Sequence, residues 1–156
     1  MPWRGSADGK VAMTAPIAVG AADAADADAL ARLAHEMGYQ VSPAVMTERL
    51  GSLPKDHEVF VATVDGQVVG WVHLYVNHTL LVEPRAELGG IAVGSNWRRR
   101  GVGRHLMNWA EQWASQRGCK VVYVRSGSER TDAHGFYRRL GYQELKTQSV
   151  FTKDLS

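Results

Sequence analysis

The stretch Arg98-Arg99-Arg100-Gly101-Val102-Gly103-Arg104 follows a short apolar run, Ile91-Ala92-Val93, and precedes residues whose apolar positions recur at helical spacing. A strand, a glycine-bearing loop and a helix start in that order make an anion cradle. The first N–H groups of a helix have no intrahelical partner, and the helix dipole adds partial positive charge there. Gly101 and Gly103 let the main chain approach a ligand without Cβ obstruction, and Arg98, Arg100 and Arg104 add charge around it. The pattern predicts a phosphorylated ligand.

Other readings of the loop fit less well. A dinucleotide fingerprint needs a third glycine, but Leu106 holds that position and no βαβ unit with a ribose-binding acid follows. A P-loop needs Gly-Lys-Ser/Thr after its spacer, and none is present. The bland alternative is a basic, glycine-marked helix start with no ligand, since Gly and Arg are common at surface turns.

Working outward, the helix after the loop carries Val102, Leu106, Ala110, Trp113 and Ala114 as an apolar stripe ending at Gly118. Upstream, Glu58 to Val64 and Gln67 to Val76 are β-branched and apolar runs separated by Asp65-Gly66, a two-residue hairpin signal. Ala86 to Val93 is a third strand leading into the loop. Before these, Pro16 to Val19 is a weak strand. A helix follows with Leu30, Leu33, Ala34 and Met37 on one face up to Gly38, and Ser42-Pro43 starts a second that ends near Leu53-Pro54. Downstream, Lys120 to Arg125 reads as a strand, Thr131 or Asp132 caps a last helix closed by Gly141, and Tyr142 to Lys153 reads as a terminal strand or hairpin arm. The expected order β, α, α, β, β, β, α, β, α, β suits an α/β (α+β mixed) fold, a mixed sheet flanked by helices.

With 156 residues, 45% of them hydrophobic, the chain fits one soluble globular domain. Residues 1–12 read as a disordered leader or cloning remnant, with Met13 an alternative start, and residues 13–156 as the domain. A net charge of +2 is too small to argue for nucleic acid or a membrane surface. No run approaches the ~18 apolar residues of a membrane span. The lone cysteine, Cys119, excludes an intrachain disulfide framework and reads as buried filler in a reducing compartment, so a cytoplasmic location is expected. The start mimics a weak signal peptide, but Thr14, Pro16 and Gly20 interrupt its apolar stretch.

The spacing Arg98-x-x-Gly101-x-Gly103 resembles the acetyl-CoA pyrophosphate loop of the GNAT N-acetyltransferase superfamily. A second segment, Ala133-His134-Gly135-Phe136-Tyr137-Arg138-Arg139-Leu140-Gly141-Tyr142, resembles that family's last helix with its catalytic Tyr, and the match runs loosely from Pro16 to Leu155. The resemblance implies a mostly antiparallel central sheet with about four helices, and acetyl-CoA as cosubstrate. It places the cosubstrate on Ile91, Ala92 and Val93 of the strand, on Arg98 to Arg104 including Arg99 and Val102, and beside Tyr137. The last helix is similar to that of aminoglycoside 6′-acetyltransferases, which implies a small-molecule amine as acceptor. Protein or peptide amines and a noncatalytic acyl-CoA sensor are the alternatives, and a homodimer is left open.

Direct acetyl transfer sets three tasks. The acceptor ammonium must lose a proton, which for a pKa near ~10.4 costs roughly 4 to 5 kcal/mol at neutral pH; the carbonyl must be polarised; and the thiolate must be protonated. The resemblance assigns the acid to Tyr137. Many relatives carry Asn seven residues earlier to contact the cofactor, where this chain has Arg130, a side chain that can meet either a phosphate or the protein surface. The family often places a carboxylate near the start of the strand before the loop, here Glu87 or Glu83. Glu87 is the preferred base because it shares strand parity with Ile91 and Val93, provided no bulge intervenes. His134 reads as a satisfied or solvent-facing imidazole, and His73 and His78 have no metal-ligand spacing to a second His or Cys.

Overall fold

A computed structural model of the chain describes residues 15–156, so the expected leader over 1–12 and the alternative start at Met13 lie outside the described residues. The described residues fall into two compact units, one ending at Val124 and the other Arg125–Ser156.

The first unit holds one sheet in the order β1 (Ala18–Ala21), β2 (His57–Val64), β3 (Gln67–Asn77), β4 (Arg85–Val93), β5 (Val122–Tyr123). Successive pairs from β1 to β4 are antiparallel, and only β4 with β5 is parallel. The hairpin at Asp65-Gly66 forms as expected, both residues at positive φ (50° and 78°), the condition for a two-residue turn whose twist matches its strands.

Three helices complete this unit: α1 (Ala27–Glu36), α2 (Pro43–Gly51) and α3 (Val102–Gln116). Ser42 caps α2 through its side chain, which accepts from Val45 N–H at 3.2 Å, with Pro43 in the first turn. The apolar stripe of α3, Val102, Leu106, Ala110, Trp113 and Ala114, is buried in one core with Phe60, Ala62, Val72, Leu74 and Ala86. Fully burying side chains of this kind is worth about 1.5–3 kcal/mol each. On the other face α1 packs against β3 and β4, burying Leu30, Leu33 and Ala34.

Two register shifts decide which side chains of the sheet share a face. One falls between Ala62 and Thr63 in β2; the other opposes His73 and Leu74 to Gly90 and Leu88, leaving Gly89 as the extra residue in β4.

The second unit contains α4 (Thr131–Arg139), terminated by Gly141 at φ 93°. Its N-cap is Arg130, without a side-chain cap bond, and not Thr131 or Asp132. The strand expected over Lys120 to Arg125 shrinks to Val122–Tyr123. The terminal strand expected over Tyr142 to Lys153 does not form among the described residues. A strand needs a neighbour to take its N–H and C=O groups; none pairs with this segment, and Leu145, Val150 and Phe151 remain 75–90% exposed.

Candidate active site

The arginine loop ends where α3 begins. Gly101 occupies the N-cap at φ 87°, a conformation disfavoured for residues with a Cβ, and Arg99 is also left-handed at φ 62°. The carbonyl of Gly101 accepts from the His105 backbone N–H at 3.0 Å, with His105 Nδ1 at 2.9 Å, which tightens the first turn. Among the described residues no side chain caps this helix, and its first turn holds no acidic residue to compete for its N–H groups. Arg98, Arg99, Arg100 and Arg104 are exposed around it. Arg100 lies 5.3 Å over the Trp97 ring. The loop is tied to α1 where Ser95 N–H donates to Glu36 Oε1 at 2.8 Å, a bond that holds the Glu36 carboxyl below its ordinary value.

β4 presents an open edge to this loop. Its parallel pairing with β5 covers only Ala86 and Glu87, so from Leu88 to Val93 that edge has no strand neighbour among the described residues. Ile91, Ala92 and Val93, expected to meet the cosubstrate, lie on this part, and the exposed Gly89 bulge stands at its start. Backbone N–H and C=O groups along an unpaired edge are suited to an extended ligand that carries amides.

The bulge reverses the parity on which Glu87 was preferred. Glu87 opposes Tyr75 and Ile91 opposes Val72, and Tyr75 and Val72 point to opposite faces, so Glu87 lies on the face away from Ile91 and Val93. Its side chain is fully buried, and its carboxylate accepts from Tyr75 OH (3.1 Å), Arg85 Nε (3.0 Å) and the Asn77 amide. Arg85 in turn stacks 3.8 Å over the Tyr123 ring. The alternative carboxylate, Glu83, is exposed.

Sequence reasoning missed a pair of histidines on the same face. His57 Nδ1 and His73 Nε2 lie 2.9 Å apart, and His57 stacks on Tyr75 with centroids 4.8 Å apart and planes 9° from parallel. Burial first, and His57 second, hold His73 below the ordinary histidine value, favouring its neutral form. The hairpin that joins their strands makes β2 and β3 neighbours, but counted without the register shift at Ala62 and Thr63 it sets the two rings on opposite faces, so the sequence held no signal for the pair.

In the second unit, Tyr137 makes edge contacts with Phe136 and Tyr142 at centroid distances of 5.2 and 5.9 Å. Burial raises its phenol above the ordinary value, opposed by the charge of Arg130, so it stays protonated well into the alkaline range. His134 Nε2 lies 2.9 Å from the Gly127 carbonyl, a locally satisfied ring. Cys119 is buried in the core with its thiol pushed up by burial. Among the described residues no cluster of His, Cys, Asp or Glu could hold a metal, and no helix is long and apolar enough to cross a membrane.

The chain is 39% identical over 87 residues to an uncharacterized N-acetyltransferase of Methanocaldococcus jannaschii, covering 54% of this chain but spanning only 38% of that protein's length. It is 26% identical over 106 residues to an aminoglycoside N(6′)-acetyltransferase type 1 of Salmonella typhimurium, covering 65% of this chain and 73% of the relative. A solved aminoglycoside acetyltransferase in complex with the bisubstrate analog CoA-S-monomethyl-acetylneamine superposes with TM-score 0.77 at 18% identity, over 89% of this chain and 99% of that one. The family model for acetyltransferases of the GNAT type matches residues 27–142, and with that extent of match the chain belongs to the GNAT acetyltransferase family.

Proposed function

We propose that this protein transfers an acetyl group from acetyl-CoA to a primary amine of a small molecule. The observation that carries the reading is the continuity of two backbone surfaces: an open β4 edge from Leu88 to Val93, running into an uncapped helix start ringed by four arginines. One suits the amide-bearing pantetheine arm and the other the pyrophosphate. Arg98, Arg99, Arg100 and Arg104 neutralise phosphate charge, Gly101, Val102 and Gly103 supply N–H groups, and Ile91, Ala92 and Val93 supply the strand edge. Arg130 is a further candidate for a phosphate.

Tyr137 is the proposed donor of the proton taken up by the departing thiolate, a role that fits a phenol kept protonated by burial. Glu87 is assigned a positioning role, because its carboxylate already accepts from three side chains that would lose their partner if it took a proton. A small-molecule acceptor is supported by the aminoglycoside acetyltransferases among the relatives.

The test is a thiol-release assay with acetyl-CoA against aminoglycosides, polyamines, amino acids and peptides. Turnover with a small amine is expected. Turnover with peptides only would reassign the acceptor, and acetyl-CoA binding without turnover on any amine would reject the enzymatic reading.

A further inference from the structure

The Gly89 bulge is shaped around a histidine. A Cβ added at Gly89 would stand 2.5 Å from His73 Nδ1, closer than real Cβ atoms come, so the His73 ring occupies the space that a side chain at position 89 would take. The same ring has its other nitrogen, Nε2, 2.9 Å from His57 Nδ1. One imidazole therefore faces the exposed bulge on one side and a second imidazole on the other. From β2 it is met by His57 and apolar Val59; β3 contributes Trp71 and Tyr75 at the alternate positions, and β4 the two glycines, with Glu87 beyond them bonded to Tyr75. Glu87 shares this face, and its carboxylate is engaged by Tyr75, Asn77 and Arg85.

We infer that His73 takes the proton released by the acceptor amine at the β4 bulge and that His57 relays it to solvent. The inference rests on the acetyltransferase reading for its substrate, and on side-chain geometry for its residues. In the resting pair His73 carries its hydrogen on Nε2 and donates it to His57 Nδ1, leaving the lone pair of Nδ1 towards the bulge; His57 carries its hydrogen on Nε2. An N–H bond of the acceptor ammonium breaks and its proton joins His73 Nδ1. The electron pair left on nitrogen forms the bond to the thioester carbonyl carbon; when the C–S bond breaks its pair leaves on sulfur, which takes a proton from the acid, and the second proton that nitrogen sheds as it becomes an amide restores the acid. The Nε2 proton of His73 passes to His57 Nδ1, and the Nε2 proton of His57 passes to water, so one proton enters the pair and one leaves; both rings then regain their resting tautomers by proton exchange with water before the next turnover. A neutral His73 at neutral pH is the form that this step needs, and burial keeps it so.

Two measurements test the proposal. The first is turnover against pH for the parent, His73→Gln and His57→Gln, using kanamycin, spermidine and a lysine-containing peptide as acceptors, with acetyl-CoA affinity followed by calorimetry. His73→Gln is expected to lower turnover at neutral pH by ~10²- to 10⁴-fold at unchanged acetyl-CoA affinity, and to approach the parent as the pH nears the amine's own pKa. His57→Gln should show a smaller deficit of the same pH shape. Parallel profiles for His73→Gln and parent would overturn the assignment. The second needs no turnover: long-range ¹H–¹⁵N spectra of the imidazoles. A hydrogen on His73 Nε2 with Nδ1 bare supports the proposal, and a hydrogen on His73 Nδ1 overturns it. If the parent acetylates none of the three amines while the spectra show the expected tautomer, the acceptor reading fails and the proton-accepting geometry stands.

Discussion

Removing the Glu87 carboxylate perturbs the most deeply buried charge described in the sheet. Its side chain is 0% exposed, and that of its ion-pair partner Arg85 is 21% exposed. Deleting one partner of a buried pair costs about 3–5 kcal/mol, chiefly because the other charge is left without compensation. Arg85 keeps some contact with water and stacks 3.8 Å over Tyr123, which places Glu87→Ala towards the lower end, at about 3 kcal/mol. For a chain of this size that corresponds to a Tm drop of roughly 6–12 °C. Glu87→Gln keeps the volume and one acceptor oxygen but points an NH₂ group at donors, so about 1.5–3 kcal/mol is expected. The assay is urea and thermal unfolding of the parent, both single variants and an Arg85→Met/Glu87→Leu double variant, whose apolar pair should recover much of the loss. Activity is followed alongside. A Glu87→Ala protein within about 1 kcal/mol of the parent would refute the structural role. A Glu87→Gln protein of parental stability, whose turnover deficit vanishes as the pH nears the amine pKa, would return the base to Glu87.

The site carries three further expectations. Gly103→Val should leave the fold intact and weaken CoA binding strongly, since a β-branched side chain would obstruct the phosphate approach; unchanged affinity by calorimetry would remove the loop from the site. Tyr137→Phe should lower turnover by ~10²- to 10⁴-fold with little change in acetyl-CoA binding, and near-normal turnover would strip Tyr137 of the acid role. The lowered proton affinity of His73 also bears on acid stability. The unfolded chain binds a proton at ~6.5 that the folded chain refuses, so stability is full above that pH and declines as pH falls towards the lower folded value. Urea unfolding from pH 7.5 to 5 should show this decline, shallower in His73→Gln, and equal slopes would contradict the burial of a neutral ring.

Much of the architecture was legible in local chemistry. Asp65-Gly66 specifies a hairpin because both positions accept positive φ, Ser42-Pro43 specifies a helix start, and the period of Leu106, Ala110 and Trp113 specifies which face of α3 is buried. The arginine loop was readable for the same reason: its glycines and its place between a strand and a helix are properties of adjacent residues. The terminal segment misled, because Val150-Phe151 has the composition of a strand but pairing depends on a neighbour that composition does not supply.

What only the tertiary structure decided is which side chains share a face. Counted outward from the Val64–Gln67 pair of the hairpin, an unbroken ladder would oppose His73 to Glu58 and set His57 on the opposite face. The shift between Ala62 and Thr63 moves the register by one residue, opposes His73 to Val59 and brings the two imidazoles to 2.9 Å. The extra residue at Gly89 likewise takes Glu87 away from the face of Ile91. Because side chains alternate with a period of two, one inserted residue reverses every face beyond it, and no local pattern in either strand announces the insertion.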